Sequence, residues 1–194
     1  MAIISLYIPC ANSTSWQAQT ALLMTTQDTR DPREVALRDV MDEMDKLGDN
    51  VRFILAGDFN LPWNAKGRNG VPDATEKRLS KLLNTLCEVR SLKSVWEALH
   101  PNKKAWTRQV SVNAQSGSSH IDHIIVLQCL LQSKAITRMG IFQDERVGSS
   151  DHRLLVMEYD LAIALNLEVM QQVHRRPTQI DYKNKLQVLK AILR

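Results

Sequence analysis

The sequence predicts a layered α/β domain, in which strands and helices pack around one core. Its 194 residues correspond to about one domain. Hydrophobic residues make up 44% of the chain and charged residues 24%, which is typical of a globular protein and excludes collagen-like and low-complexity classes. Short apolar runs also alternate along the chain with amphipathic stretches, which is the pattern of α/β domains.

The first predicted elements are a strand and a helix. Residues 2–8 are apolar and β-rich, and Pro9 ends this strand. A polar loop follows. Asp31 and Pro32 then stand at N-cap and N1 positions before apolar residues at helical spacing, and Gly48 closes the helix.

The second predicted strand ends in polar residues. Residues 51–56, which are apolar except for Arg52, form a short run that stops at Gly57, and this favours a strand buried on both faces. The strand delivers Asp58 and Asn60, two residues apart and on the same side.

Further elements follow a turn-rich loop. Asp73 caps a predicted helix with leucines on one face, and residues 92–99 suggest one or two more helical turns. Residues 106–112 and 119–126 predict strands joined by a polar turn, and residues 153–159 predict another strand.

Positive charge is concentrated at the C-terminal end. The chain has a net charge of +4, and residues 161–194 hold six basic and two acidic side chains, which leaves the rest neutral. Residues 161–173 are apolar and either helical or loosely structured, and a basic helix is expected over 181–193. We therefore predict a main domain over 1–162 and a basic linker or helix over 163–194.

A second basic stretch, residues 61–108, holds ten basic and four acidic side chains. It is either a solvated surface or a surface for nucleic-acid phosphates.

Membrane and secreted classes are not indicated. The apolar runs are shorter than a bilayer span, and no basic segment precedes the first strand, so we expect no signal peptide or anchor. Cys10, Cys87 and Cys129 are too few and too far apart for a disulfide framework or a CxxC metal site. These features predict reduced thiols in an intracellular protein.

Three segments carry residues suited to chemistry. Residues 57–60 pair a carboxylate that can orient or deprotonate water with a carboxamide that can donate to a phosphate oxygen, although such residues are also common in turns. Residues 119–123 and 149–152 each contain an Asp-His dipeptide. The carboxylate can bind a metal, while an imidazole partnered by a carboxylate such as Asp122 donates to phosphate. Each histidine taken alone is more often structural.

Taken in order, these segments resemble the endonuclease/exonuclease/phosphatase superfamily, whose pattern contains "GDFN", an "IDH" strand and a closing "SDH". The local variants are most similar to the endonuclease domain of non-LTR retrotransposons. The match runs over about residues 2–180 and includes Tyr7-Ile8-Pro9, Leu99-His100-Pro101, Trp106-Thr107, Ser119 to Ile124, and His174 to Asp181.

The resemblance implies a role for each matched residue at the scissile phosphate. Asp58 would orient or activate the attacking water, Asn60 would hold the phosphate, and Tyr7 would hydrogen-bond to it. The family cleaves DNA and uses Mg²⁺, with Mn²⁺ as an alternative.

The remaining matched residues would organise the metal and the imidazole. The resemblance makes Asp151 a metal ligand and His152 a phosphate contact ordered by Asp122. Thr107 and Ser119 would support the hydrogen bonding of the site.

The implied fold is the C-terminal part of a four-layer α/β/β/α sandwich, deoxyribonuclease-I-like, with its first strands missing. In the family, a strand bearing an Asn and a strand ending in the principal metal-binding Glu precede the strand matched at residues 2–8. Cys10 also replaces a frequent Asn, although Asn12 is near. We expect weakened Mg²⁺ binding and an exposed apolar sheet face that favours self-association or binding of the missing N-terminal half.

Two functions therefore stay open. The chain is either a Mg²⁺-dependent DNA endonuclease of retroelement type, for which nuclear residence is plausible, or a fragment that is catalytically inactive and at most binds nucleic acid or protein. A phosphatase acting on inositol lipids or nucleotides is disfavoured by the retroelement-type motifs.

Overall fold

Two β-sheets and six helices make up the part of the chain that the structure, a computed structural model, describes. The described residues are 1–165, except 12, 49, 65–66, 110–116 and 143–149. The strands are β1 (Ala2–Tyr7), β2 (Phe53–Asp58), β3 (Leu92–Ser94), β4 (Asp122–Leu127), β5 (Ile136–Phe142) and β6 (Leu154–Tyr159). The helices are α1 (Thr14–Thr25), α2 (Pro32–Leu47), α3 (Ala74–Val89), α4 (Val95–Leu99), α5 (Gln128–Gln132) and α6 (Leu161–Ala164).

The larger sheet has the order β1-β2-β4-β3. Its first two strands are parallel, and β4 runs antiparallel to both β2 and β3. The smaller sheet is the antiparallel pair β5-β6. Within the described residues β1 has a strand neighbour on one side, so it is an edge strand with unpaired backbone groups on the other side.

The first hydrophobic core lies between the larger sheet and the helices α2 and α3. Leu37 and Met41 of α2 and Leu79 and Leu83 of α3 are buried against sheet residues such as Leu55. Apolar residues spaced three or four apart place these side chains on one face of each helix, which fixes the helices on the sheet.

The second core lies between the two sheets. Ile54 and Val126 on the other face of the larger sheet are buried in one cluster with Ile136 and Met139 of β5, and Trp96 of α4 closes the end of this cluster. Because β2 contributes to both cores, its burial on both faces is confirmed. The described layers are therefore helix, sheet and sheet, which is part of the predicted four-layer sandwich.

Several apolar side chains stay in contact with solvent. Ile3 on the edge strand is 67% exposed. On the outer face of the smaller sheet, Phe142 and Leu154 are 53% and 54% exposed, and Val156 is also exposed. The described part of the chain thus leaves an apolar strip on β1 and another on the outer sheet face.

The predicted ends of α2 and α3 agree with the structure because side-chain caps determine them. Asp31 accepts a hydrogen bond from the backbone N–H of Arg33, Pro32 occupies the first turn, and Gly48 follows the last turn. The Asp73 side chain caps α3 in the same way, through the N–H of Glu76.

The segment between β1 and α2 was predicted as a loop, and this prediction is wrong for residues 14–25. They form α1, which the Ser13 side chain caps by accepting from the N–H of Trp16. None of the residues of α1 is buried, and apolar and polar residues are not segregated on its surface. The helix therefore lacks the amphipathic periodicity from which α2 and α3 were predicted.

Other boundaries also differ from the predictions. Residues 92–94 form β3 rather than a helical turn, because they pair with β4. Within the hairpin predicted from residues 106–126, the described residues form isolated bridges at Arg108 and the regular strand Asp122–Leu127, and residues 110–116 lie outside the described part. The partner of β6, Ile136–Phe142, was not predicted.

The C-terminal predictions lie largely outside the described residues. Within residues 161–173 the structure describes α6 and Leu165, and the basic helix expected over 181–193 is not among the described residues. The proposed boundary at 162/163 stays a prediction. No helix in the described ranges has the length and apolar character required to span a membrane.

Candidate active site

Three strands bring Tyr7, Asp58 and Asp122 into one row. Tyr7 is the register partner of Asp58 across the parallel pair β1-β2, and Asp58 is the partner of Asp122 across the antiparallel pair β2-β4. Paired residues of adjacent strands project from the same face of a sheet, so the three side chains lie on the face that carries Ile54 and Val126. Residues 115 positions apart along the chain thereby become neighbours.

Gly57 allows this row to form. The structure places it inside β2, beyond the predicted end of the strand, with a φ of 149°. A Cβ at this position would lie 1.8 Å from the backbone oxygen of Leu6. Glycine is therefore required for the close approach of β1 to β2 immediately before Asp58.

Asn60 holds the Asp58 carboxylate in place. Its backbone N–H donates to Asp58 Oδ1 at 2.8 Å, and its Nδ2 donates to Asp58 Oδ2 at 3.0 Å and to the backbone oxygen of Ile8 at 2.6 Å. Asn60 has a φ of 47°, a conformation that Asn tolerates better than most residues. Because Nδ2 already has these two acceptors, contact of this group with a phosphate requires that one of them be exchanged.

The environment of Asp58 favours its protonated form relative to an exposed carboxyl. Burial raises the pKa of Asp58, and the nearby Asp122 carboxylate raises it further, whereas the hydrogen bond from the Asn60 N–H and the positive charge of Arg108 oppose this shift. A positive ligand beside these two carboxylates would relieve their repulsion.

His152 is oriented by Asp122, as the sequence predicts. Its Nδ1 lies 3.0 Å from both Asp122 carboxylate oxygens, so Nδ1 carries the proton and the ring is fixed by a carboxylate. The other ring nitrogen, Nε2, faces Asp58 Oδ2 at 4.0 Å and Asp151 Oδ1 at 3.9 Å. The imidazole thus presents Nε2 to the space between two carboxylates.

Thr107 connects the start of β4 to the site. It is fully buried, and its Oγ1 accepts hydrogen bonds from the backbone N–H groups of Ile121 and Asp122, both at 3.0 Å. The backbone oxygen of Ser119 accepts from the N–H of Thr107 at 2.9 Å. Thr107 and Ser119 therefore lie next to the site and determine where Asp122 enters the sheet.

Asp151 lies beside this arrangement but is bound to an arginine. Its Oδ2 accepts from Arg108 Nε at 2.7 Å. Backbone contacts fix the position of both residues. The Gln109 N–H donates to the backbone oxygen of Asp151, and Arg108 forms isolated β-bridges with Ser119 and His152. Although burial acts to raise it, the pKa of Asp151 is lowered on balance by the hydrogen bond and charge of Arg108. The structure thus brings together all eight residues proposed from the sequence and adds Arg108 to them.

Solved structures that are similar to this chain include nucleases. The 3′-5′ exonuclease NExo from Neisseria meningitidis is similar with a TM-score of 0.56 at 21% identity, over 81% of this chain and 60% of that one. An AP endonuclease from Archaeoglobus fulgidus gives a TM-score of 0.58 at 18% identity, over 82% of this chain and 61% of that one. The chain has part of the deoxyribonuclease-I-like fold. The predicted fold class is thereby confirmed, and the chain spans about 60% of the length of these structures.

Comparison of the sequence with known families and curated proteins finds no relative. No protein-family model matches the sequence, and no curated protein does. The endonuclease domain of TRAS1, a telomere-specific non-LTR retrotransposon, has a TM-score of 0.49 at 21% identity, over 66% of this chain and 52% of that one. The resemblance to retroelement endonucleases therefore rests on the sequence motifs.

The donor set of this deoxyribonuclease-I-like site fits a hard divalent cation. Asp58, Asp122 and His152 each offer one ligand atom, and these atoms lie within 4.8 Å of one another. Mg²⁺ is usually held by one or two carboxylates together with water and substrate phosphate, which the two aspartates can provide. Asp151, predicted as a metal ligand, is outside this set and paired with Arg108.

Sequence reasoning missed Arg108 because a single arginine after the Trp-Thr motif carries no pattern of its own. It also left the roles of His120 and His123 open. Their rings stack with centroids 5.1 Å apart, both side chains are buried, and His123 Nε2 lies 2.8 Å from the Leu61 backbone oxygen. Burial lowers the pKa of His120 to about 4 and that of His123 to about 3, so both are neutral core residues.

Proposed function

We propose that this chain carries the C-terminal part of a divalent-cation-dependent DNA phosphodiesterase of the endonuclease/exonuclease/phosphatase superfamily. The observation that carries the proposal is the row of Tyr7, Asp58 and Asp122 with His152 fixed beside it. Two carboxylates and an oriented imidazole at one edge of a sheet are suited to an anionic substrate held by a cation.

In this proposal the residues divide the work of hydrolysis. Asp58 orients the attacking water, and Asn60 keeps the Asp58 carboxylate in one orientation through its two hydrogen bonds. His152 directs Nε2 at a phosphate oxygen while Asp122 fixes its tautomer through Nδ1. Tyr7, which is 60% exposed, is available to donate from its hydroxyl to the phosphate. A divalent cation bound by Asp58 and Asp122, Mg²⁺ or Mn²⁺, would neutralise charge on the phosphate and the leaving oxygen.

DNA is the proposed substrate. Support comes from the retroelement-type motifs and from the basic stretch 61–108, which offers contacts to backbone phosphates. One similar structure is described as a 3′ phosphatase bound to a product DNA hairpin. We propose an intracellular location for this activity, with the nucleus as its site in a nucleated cell.

An inactive nucleic-acid-binding or protein-binding remnant is the second candidate. The ion pair between Arg108 and Asp151 favours it, because a residue predicted to bind metal is already neutralised.

Nicking of supercoiled plasmid separates the two candidates. The chain is assayed with Mg²⁺, with Mn²⁺ and with EDTA, beside Asp58→Asn and His152→Ala. Asp39→Asn, an exposed residue of α2, is the matched control for loss of a carboxylate. Cation-dependent nicking that both site variants lose and the control keeps would support hydrolysis. Absence of nicking by a folded sample would support the inactive remnant. Nicking that Asp58→Asn retains would not come from this site and would support the remnant as well.

We further propose that the strip on β1 contacts another polypeptide, either a second copy or a segment that supplies the part of the fold that this chain does not span. Ile3 is exposed beside the unpaired edge of β1, which offers both apolar area and backbone hydrogen bonds. Light scattering on the wild type and on Ile3→Lys tests this. If the wild type is a dimer and Ile3→Lys is a monomer, the partner of the strip is a second copy. If the wild type is a monomer, the separate segment is the partner that the proposal keeps.

A further inference from the structure

In the described part of the basic stretch 61–108, the arginines form ion pairs with carboxylates and the lysines form none. Each of its arginines has a carboxylate partner, and the pairs are Arg68–Glu76, Arg78–Glu34, Arg90–Asp45 and Arg108–Asp151. The lysines in the described part of the stretch form no such pair with a described carboxylate, and they are Lys77, Lys81, Lys93, Lys103 and Lys104. The positive charge available to a ligand therefore comes from lysines.

Two of these lysines line the same cavity. Lys77 and Lys81 lie one turn apart on α3, and they face a cavity of about 280 Å³ between this helix and the loop that follows β2. Trp63 of that loop forms part of the wall, together with Pro62. The lining of this cavity thus includes one aromatic side chain and the side chains of two exposed lysines.

Trp63 is held in a defined position. Its backbone oxygen accepts from Asn84 Nδ2 at 2.6 Å, and the same amide group donates to the Ser80 backbone oxygen at 2.8 Å. The Trp63 ring also contacts the buried His123 ring, with centroids 6.1 Å apart. A fixed indole loses little conformational freedom when a ligand stacks on it.

Ser80 supplies an unused polar group at the same place. It lines the cavity and is 9% exposed, and its Oγ has no hydrogen-bond partner. A buried hydroxyl without a partner is rare, because leaving it unsatisfied destabilises the fold. A ligand oxygen or nitrogen reached by a small rotation of this side chain would satisfy it.

We propose that this cavity binds one nucleotide unit, with its base against Trp63 and its phosphate at Lys77 and Lys81. Stacking on an aromatic ring combined with lysine–phosphate contact is the general mode of binding single-stranded nucleic acid. The unit belongs either to a strand or to a free nucleotide. Trp63 is three residues after Asn60, so the cavity is close along the chain to the proposed active site.

The site goes beyond the proposed hydrolysis and is tested separately from it. Fluorescence anisotropy of a labelled 12-nucleotide single-stranded DNA is measured in EDTA, so that no cleavage takes place. The variants are Lys77→Gln/Lys81→Gln and Trp63→Phe. Lys46→Gln/Lys134→Gln removes the same charge from exposed positions outside the stretch and is the matched control. A 12-nucleotide probe made of abasic sites tests whether binding requires the base. Titration with deoxyadenosine monophosphate tests whether a free nucleotide binds.

We expect the double lysine variant to bind the DNA about tenfold more weakly than the control, with a salt slope lower by about 0.7 for the one phosphate that the two lysines contact. Trp63→Phe should weaken binding of the DNA but not of the abasic probe. Binding of the monophosphate that depends on Lys77 and Lys81 would identify a free nucleotide as the source. Equal losses in the lysine variant and its control, or equal binding of both probes by the wild type, would overturn the proposal. Neither result depends on nicking.

Discussion

The guanidinium of Arg108 and the carboxylate of Asp151 form an ion pair of 2.7 Å beside the cluster of Asp58, Asp122 and His152. Two properties of the site follow. The positive charge of Arg108 acts to lower the pKa of Asp58, and its guanidinium is hydrogen-bonded to the Asp151 carboxylate. A cation that enters the cluster must therefore compete with an arginine already in place.

Replacing Arg108 should strengthen cation binding. In Arg108→Gln the competing charge is gone and Asp151 is released, so we expect Mn²⁺ to bind about fivefold more tightly, which corresponds to about 1 kcal/mol for a partly exposed pair. Electron paramagnetic resonance of free Mn²⁺ measures this. Arg138→Gln, which breaks the exposed pair with Glu158, is the control and should change nothing. Unchanged or weaker Mn²⁺ binding in Arg108→Gln would contradict the competition.

The Thr107 hydroxyl should be required for stability. Thr107→Val keeps the shape of the side chain but leaves the N–H groups of Ile121 and Asp122 without their buried acceptor, so the free energy of unfolding should fall by about 2–4 kcal/mol. Thr107→Ser keeps the acceptor and should lose only about 1 kcal/mol for the missing methyl group. Urea denaturation compares the two variants. Equal losses would show that packing rather than hydrogen bonding holds this position.

Gly57 should tolerate no side chain. In Gly57→Ala the new Cβ would overlap the backbone oxygen of Leu6, so β1 must move away from β2. Gly48→Ala is the matched control, because Gly48 also has a positive φ but has no atom within 4 Å of the added Cβ. We expect Gly57→Ala to be less stable than Gly48→Ala by at least about 2 kcal/mol, measured by thermal or urea unfolding. A smaller difference would mean that β1 adjusts easily.

Stability should fall in mild acid because of the two buried histidines. Their folded-state pKa values, about 4 for His120 and about 3 for His123, lie below the ordinary value of 6.5. Between those values and 6.5 the unfolded chain binds more protons than the folded one. The free energy of unfolding therefore increases with rising pH in this window and decreases as the pH falls. Each histidine contributes up to about 1.4 kcal/mol per pH unit.

Urea denaturation at pH 7 and pH 5 measures this dependence. His120→Phe keeps an aromatic ring between Trp96 and His123 but removes one titrating group. The change in stability between the two pH values should be about half that of the wild type. The same pH dependence in His120→Phe and the wild type would exclude His120 as its source.

The sequence predicts those parts of the fold that local chemistry determines. The N-caps Asp31 and Asp73 and the apolar run before Gly57 are sufficient to define α2, α3 and β2. The motif residues also predicted the pairing of His152 with Asp122.

Features that depend on contacts between distant segments could not be predicted. The helix α1 buries no side chain and has no periodic apolar face, and β5 exists through its pairing with β6. The partnership of Arg108 with Asp151 joins residues from different loops, and nothing local to either residue indicates it. The same holds for the cavity beside Trp63, whose walls come from a loop and a helix.

The end of β1 is hydrogen-bonded to Asp58 and Asn60 of the candidate site. The Ile8 N–H donates to the backbone oxygen of Asp58 at 2.8 Å, and the Ile8 backbone oxygen accepts from Asn60 Nδ2 at 2.6 Å. The same Nδ2 holds Asp58 Oδ2 at 3.0 Å. A polypeptide that docks on the open side of β1 and shifts this strand lengthwise would turn the Asp58 carboxylate through a single shared amide. Binding at the edge strand would thereby change the orientation of a carboxylate in the proposed site.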